Sequence, residues 1–247
     1  MDLSTLHKLE NTHYAWYSIP MSFELAGKHL DIVFDDGETT TLDFAAAPGM
    51  EVTPGNGKVY PYKCAKTGEN RCLVSFCEGS ICTSFVIDTG EGLVTRIIAD
   101  ASAKPSLSIG VISPGGSGGR HTVTGDFDGN AFVWSFGADT GCVFTAEYSA
   151  GAVSVSLPLA GGGIPDINVS EFTAVRLAEG VYLQTAVLTY EGSIFSVALT
   201  TDFSNMLCTG CVFGVNGGKI THRIIGGYGC AAKISTDEMA NIDLYQF

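Results

Sequence analysis

Basic side chains are scarce in this chain: 13 Lys and Arg stand against 26 Asp and Glu, giving a net charge of −13. Nucleic-acid backbones and anionic membrane surfaces are bound through basic footprints, so neither is expected as a partner. Charge of either sign is thin at 16% of residues while 45% are hydrophobic, which excludes a disordered or fibrous chain and leaves ample core material. No apolar run approaches the roughly 18 residues of a membrane span. Met1-Asp2-Leu3-Ser4-Thr5-Leu6 has no basic region followed by an apolar stretch, so no secretion signal is predicted and cytoplasm is the expected location. In that compartment the eight cysteines (64, 72, 77, 82, 142, 208, 211 and 230) are expected to stay reduced.

Several catalytic signatures are also missing. There is no phosphate loop, no Gly-x-Ser-x-Gly elbow and no His-Glu-x-x-His helix, which argues against kinases, serine hydrolases and zinc proteases. The glycine-rich segments 115–119 and 226–229 lie among hairpins rather than in a strand-turn-helix unit, so no dinucleotide or other cofactor is expected. Cys208-Thr209-Gly210-Cys211 is the only Cys-x-x-Cys pair and has no second pair to complete a zinc site. Cys64, Cys72, Cys77 and Cys82 read as small buried hydrophobes on strands, and no metal is predicted.

What is present is glycine, 31 residues against 8 prolines, and apolar alternation with period two. Leu30, Ile32 and Phe34, then Phe132, Trp134 and Phe136, then Ile220 and Ile224 are examples of half-buried strand faces. Asp35-Asp36-Gly37, Glu78-Gly79, Asp88-Thr89-Gly90, Asp128-Gly129 and Glu191-Gly192 supply hairpin turns between them. About sixteen strands are expected. Helical spacing is confined to residues 3–14 and 236–245, the latter opened by a Ser235-Thr236-Asp237-Glu238 capping box. The predicted class is all-β, antiparallel, with short terminal helices.

An internal repeat organises these strands. Residues 27–37 share their layout with residues 141–151 at an offset of 114, and Glu78-Gly79-Ser80-Ile81 recurs as Glu191-Gly192-Ser193-Ile194 at an offset of 113. Pro114-Gly115-Gly116-Ser117-Gly118-Gly119 is a natural linker. The expected domains are therefore 1–117 and 118–247, each with enough strands for a small barrel that holds packed side chains or one small ligand. One larger barrel built from both halves is the alternative.

The Leu25-Ala26-Gly27 start, the Phe34-Asp35-Asp36-Gly37 hairpin and the segment Ala174-Val175-Arg176-Leu177-Ala178-Glu179-Gly180-Val181-Tyr182-Leu183 resemble the MoaF family over most of the chain. The resemblance implies a tandem of lipocalin-like, or calycin, barrels, related to phenolic acid decarboxylases and cofactor-free barrel cyclases.

Candidate site residues are polar and aromatic groups on apolar strand faces. His222 shares a face with Ile220 and Ile224, so it is expected to point toward an apolar interior. Trp134, Tyr148 and Tyr182 are candidate walls of a pocket. The offset of 113 pairs Arg71 with Gln184 and Cys77 with Tyr190, making Tyr190 or Tyr182 a candidate proton donor, with His222 and Tyr190 as the expected polar groups of the pocket. Arg71 and Tyr62 are the polar candidates of the first half. Together they suggest a cofactor-independent lyase, isomerase or cyclase acting on a small apolar or aromatic molecule, in a monomer or homodimer. A carrier or sensor using the same pocket without chemistry is the alternative function.

Overall fold

Alternating sequences between glycine turns become strands throughout a computed structural model, which describes residues 21–100, 104–115, 118–126, 128–136, 142–149, 151–156, 167–190, 192–216 and 219–232. Both segments expected to be terminal helices lie outside these residues, and among the described residues there is no helix. Eight strands form the first unit: β1 (His29–Phe34), β2 (Thr39–Phe44), β3 (Glu51–Pro54), β4 (Tyr60–Lys66), β5 (Arg71–Glu78), β6 (Ile81–Asp88), β7 (Leu93–Asp100) and β8 (Ser106–Ser113). Each pairs antiparallel with the next, and β8 pairs with β1, so the sheet is a closed barrel with no free edge.

Alternation on β1 places Leu30, Ile32 and Phe34 inside. They meet Leu42, Phe44, Val52, Tyr62, Val74, Phe76, Phe85, Ile87 and Val94 in one buried cluster, as expected of an eight-stranded barrel whose interior is about as wide as its side chains. At one end the Arg96 guanidinium lies 4.1 Å over the Phe34 ring and donates twice to Glu38, both at 2.6 Å. That fork plugs the opening with a charge-assisted pair.

Nine strands form the second unit: β9 (Thr122–Thr124), β10 (Ala131–Phe136), β11 (Cys142–Ser149), β12 (Ala152–Ser156), β13 (Ile167–Ala178), β14 (Val181–Tyr190), β15 (Ser193–Asp202), β16 (Leu207–Asn216) and β17 (Lys219–Ala232). Their order is β12-β11-β10-β17-β16-β15-β14-β13-β9, a curled antiparallel sheet in which β10 closes onto β17. β12 approaches β13 without a paired ladder among the described residues. From β10 to β17 the strand sequence follows the same antiparallel path as β1 to β8.

The two sheets meet face to face. Outward residues of β5 to β7, namely Leu73, Cys82, Val86, Ile97 and Ala99, form one buried cluster with Val175, Leu177, Leu183, Ala198, Cys211 and Phe213 of the second sheet. Burying both faces explains why β5, β6 and β7 read as nearly continuous apolar runs instead of alternating.

Neither sequence match falls on equivalent positions of the two sheets. Gly79-Ser80 joins β5 to β6, because Glu78 pairs with Ile81. The turn between β14 and β15 lies one residue earlier in the matched tetrapeptide, since Tyr190 pairs with Ser193. A one-residue slip turns every side chain to the other face, so Arg71 and Gln184 are not equivalent positions. Likewise, residues 27–37 span the β1–β2 hairpin, whereas 141–151 lead into β11–β12, one strand further along the shared path. In the turn after β6 the positive φ falls on Gly92 rather than Gly90, and the Asp88 carboxylate accepts from the Gly90 and Glu91 amides.

Candidate functional site

The inward face of the curled sheet is lined with aromatic rings. Trp134 and Phe136 alternate on β10, and both have glycine directly opposite on β17, Gly229 and Gly227. A Cβ on Gly229 would lie 2.5 Å from the Trp134 ring. Gly229 thus leaves room for the cross-strand indole and Gly227 for the backbone of β10, a packing role for this segment. Phe203, in the turn after β15, packs 4.5 Å from Phe132, 5.9 Å from Trp134 and 5.7 Å from Tyr182 between ring centroids. Phe172 lies 5.5 Å from Tyr148. Trp134 and Tyr148 are buried at the base, while Phe132, Phe172, Tyr182 and Phe203 are half-buried above them.

A short polar chain crosses this aromatic basin. The Tyr148 hydroxyl donates to Gln184 Oε1 at 2.5 Å, and Gln184 Nε2 donates to Thr201 Oγ1 at 2.9 Å. All three residues are buried. Burial pushes the Tyr148 phenol well above the ordinary tyrosine range, so at neutral pH it is a proton donor. At the rim, Tyr182 donates to Asp126 at 3.3 Å, and Arg176 forms an ion pair with the same carboxylate. Burial, followed by the neighbouring Asp126 charge, raises the Tyr182 phenol as well.

Of the residues expected from the sequence, Trp134, Tyr148 and Tyr182 are brought together here. Tyr190 is half-buried at the far end of β14, six positions from Gln184 and so about 20 Å away along the strand. His222 shares its face of β17 with Ile224, as its parity implied, but that face looks onto the first barrel. Its Nε2 lies 2.9 Å from the Ser75 hydroxyl of β5. His222 and Tyr190 therefore do not form a joint polar centre. Tyr62 is buried inside the first barrel, edge-on to Phe44, with its hydroxyl unpartnered and its phenol raised by burial. Arg71 faces outward near the seam and pairs with Asp88 at 2.9 Å, both nearly buried.

Two groups on the seam escaped the sequence reading. His121, just before β9, is 2% exposed; its Nδ1 lies 2.7 Å from the Thr95 hydroxyl of the first barrel and its Nε2 has no partner. Burial, reinforced by the Arg71 charge, pushes its pKa down to about 4. The second group gathers cysteines that the sequence pattern assigned to small buried hydrophobes. Cys77 Sγ, Cys82 Sγ and a ring nitrogen of His222 lie within 4.8 Å of one another. Ser75 Oγ touches Cys82 Sγ at 3.2 Å and Cys211 Sγ at 3.3 Å, while Ser84 donates to Ser75 at 2.9 Å. Hydrogen bonding with Cys211 and then Cys77 holds the Cys82 thiol below its usual range. The available signal was Cys77-x4-Cys82, a spacing within the usual range for zinc ligands.

No protein-family model matches the chain, and no curated protein is significantly similar to it.

Proposed function

We propose that the second unit binds a small, flat, apolar or aromatic molecule in the basin above Trp134 and Tyr148. The observation that carries this reading is a Tyr148–Gln184–Thr201 hydrogen-bond chain set within aromatic rings, four of which are only half-buried. Apolar walls with a few convergent polar groups are the usual composition of a small-molecule site. Ring faces supply contact area, and the phenol and amide fix orientation. The lipocalin-like, duplicated-barrel description implied by the MoaF resemblance is part of the same proposal, supported by the shared eight-strand path.

The test is fluorescence titration of the full-length protein with 2-naphthol and simple hydroxycinnamic acids, following tryptophan quenching. Saturable quenching is expected, weakened about 10-fold by Gln184→Leu, which removes one net hydrogen bond worth about 1 kcal/mol or slightly more. Phe203→Ala should weaken binding similarly by removing a ring contact. His222→Phe, on the opposite face of the sheet, should leave binding unchanged. Equal affinity in the wild-type protein, Gln184→Leu and Phe203→Ala, or no saturable binding, refutes the site. Recovery of an altered compound from the same mixtures would favour a cofactor-free lyase, isomerase or cyclase, with protonated Tyr148 rather than His222 as donor.

A further inference from the structure

We propose that Cys77, Cys82, Cys211 and His222 form a zinc site that staples the first barrel to the curled sheet across their seam. This inference is independent of the ligand reading, because its residues lie on the other face of the curled sheet. Cys77 and Cys82 are direct cross-strand partners on β5 and β6. Cys211 and His222 come from β16 and β17 of the other sheet, where His222 pairs with Phe213 two positions beyond Cys211. Three of the four donors already lie within 4.8 Å of one another. In a tetrahedron with bonds of about 2.0–2.3 Å the donors are about 3.5–3.8 Å apart, so bringing these three into range takes movements of about 1 Å. Cys211 Sγ lies outside that group of three and is joined to it by the Ser75 hydroxyl, which contacts its sulfur, the Cys82 sulfur and the His222 ring and would be displaced as the four donors close on an ion.

The chemistry of the set selects the metal. Thiolates with one imidazole in a tetrahedral arrangement suit zinc, whereas hard ions prefer oxygen. Binding releases the three thiol protons to solvent and leaves a complex of net charge −1. Lys63, whose ammonium donates to the His222 carbonyl at 2.5 Å, supplies a compensating charge beside the site. Ser84, which donates to Ser75, and Ser75 itself are hydroxyl partners of the kind that orient metal ligands once the ion is seated. Cys77 and His222 are half-buried while Cys82 and Cys211 are buried, so the ion has an entry side and a dry floor.

The test uses the full-length, reduced protein stripped with a chelator. Cobalt(II) should bind in one equivalent with the intense thiolate charge-transfer and visible bands of a tetrahedral complex, and zinc should displace it. X-ray absorption of the zinc-loaded wild-type protein should show a sulfur-dominated shell at about 2.3 Å. Cys77→Ser, Cys82→Ser and His222→Ala should each weaken cobalt binding by at least about 100-fold, beyond the 10–100-fold typical of outer-shell changes. Cys64→Ala, inside the first barrel, should bind normally. At a hundredfold excess over Kd, zinc should raise the wild-type Tm by about 5–10 °C and leave Cys82→Ser unmoved. A weak octahedral cobalt spectrum, a shell of oxygen and nitrogen only, binding of copper(I) alone, or full affinity in Cys82→Ser overturns the proposal. Should the variants fail to fold, the wild-type absorption shell decides between sulfur and oxygen ligation.

Discussion

Acid should weaken this protein through His121, and the structure sets the size of the effect. The imidazole is buried at the seam, with Nδ1 on Thr95 and no partner at Nε2. Protonation there would place a cation in a dry site near the Arg71 guanidinium, which is why the pKa falls from 6.5 to about 4. Between those values the unfolded chain binds more protons than the folded one, so stability rises with pH across the window. The contribution is complete above about pH 7, falls as pH drops below 6.5 and is fully lost below 4. At ~1.4 kcal/mol per tenfold change in proton affinity the total is about 3 kcal/mol. Roughly 2 kcal/mol of it disappears between pH 8 and pH 5. Urea unfolding of wild-type protein and His121→Gln at both pH values isolates this component, because groups common to the two proteins cancel. His29, exposed and raised by Asp43 and then Asp31, has the opposite sign but is unchanged in the variant. The wild type should lose about 2 kcal/mol more than His121→Gln on acidification. Parallel losses in the two proteins would refute a neutral, buried His121.

Two further perturbations probe the packing. Asp88→Ala leaves the Arg71 guanidinium nearly buried without its carboxylate and also strips acceptors from the turn after β6; urea unfolding should show a loss of about 3–5 kcal/mol. Gly229→Ala places a methyl 2.5 Å from the Trp134 ring, so the indole must shift; a loss of about 1–3 kcal/mol in unfolding experiments and a changed tryptophan emission spectrum are expected.

The strand content was written in local patterns. Leu30, Ile32 and Phe34 alternate because one face of β1 is wet, and the structure places these residues in the barrel interior. Trp134 and Tyr148 met because each sits in phase with apolar neighbours on its own strand, whereas Tyr182 lies out of phase with Val181 and Leu183 and shares its face with Gln184 and Ala186. Parity also put His222 on the face of Ile224, yet it does not say which covered face a strand presents to the barrel interior. Both faces of the curled sheet are covered, one by its own curvature and the other by the first barrel. The runs Arg71-Cys72-Leu73-Val74-Ser75-Phe76 and Leu93-Val94-Thr95-Arg96-Ile97-Ile98 carried that information, since continuous burial requires a second layer. Pairings across the seam, such as Ser75 with His222 or Thr95 with His121, join residues 147 and 26 positions apart and have no local signature. The repeat misled at both matches: residues 27–37 and 141–151 fall one strand apart along the path, and a turn displaced by one residue preserves Glu-Gly-Ser-Ile in sequence while reversing every side chain in space.

Strands β16 and β17 bear on both proposed sites, and alternation keeps the two separate. Cys211, Phe213, His222 and Ile224 face the first barrel, while Cys208 and Ile225 join the aromatic basin and Gly229 makes room for the Trp134 ring. No side chain on either strand reaches both faces, so a substitution on one can influence the other only by moving the backbone. Glycine limits that movement: a Cβ at Gly210 or Gly227 would fall within 2.4 Å of a carbonyl oxygen on the neighbouring strand, at Ala198 and Ser135 respectively. The close approach at these glycines fixes β15 against β16 and β17 against β10, so loss of a metal donor on the face toward the first barrel, as in His222→Phe, should leave the aromatic face of the sheet in place.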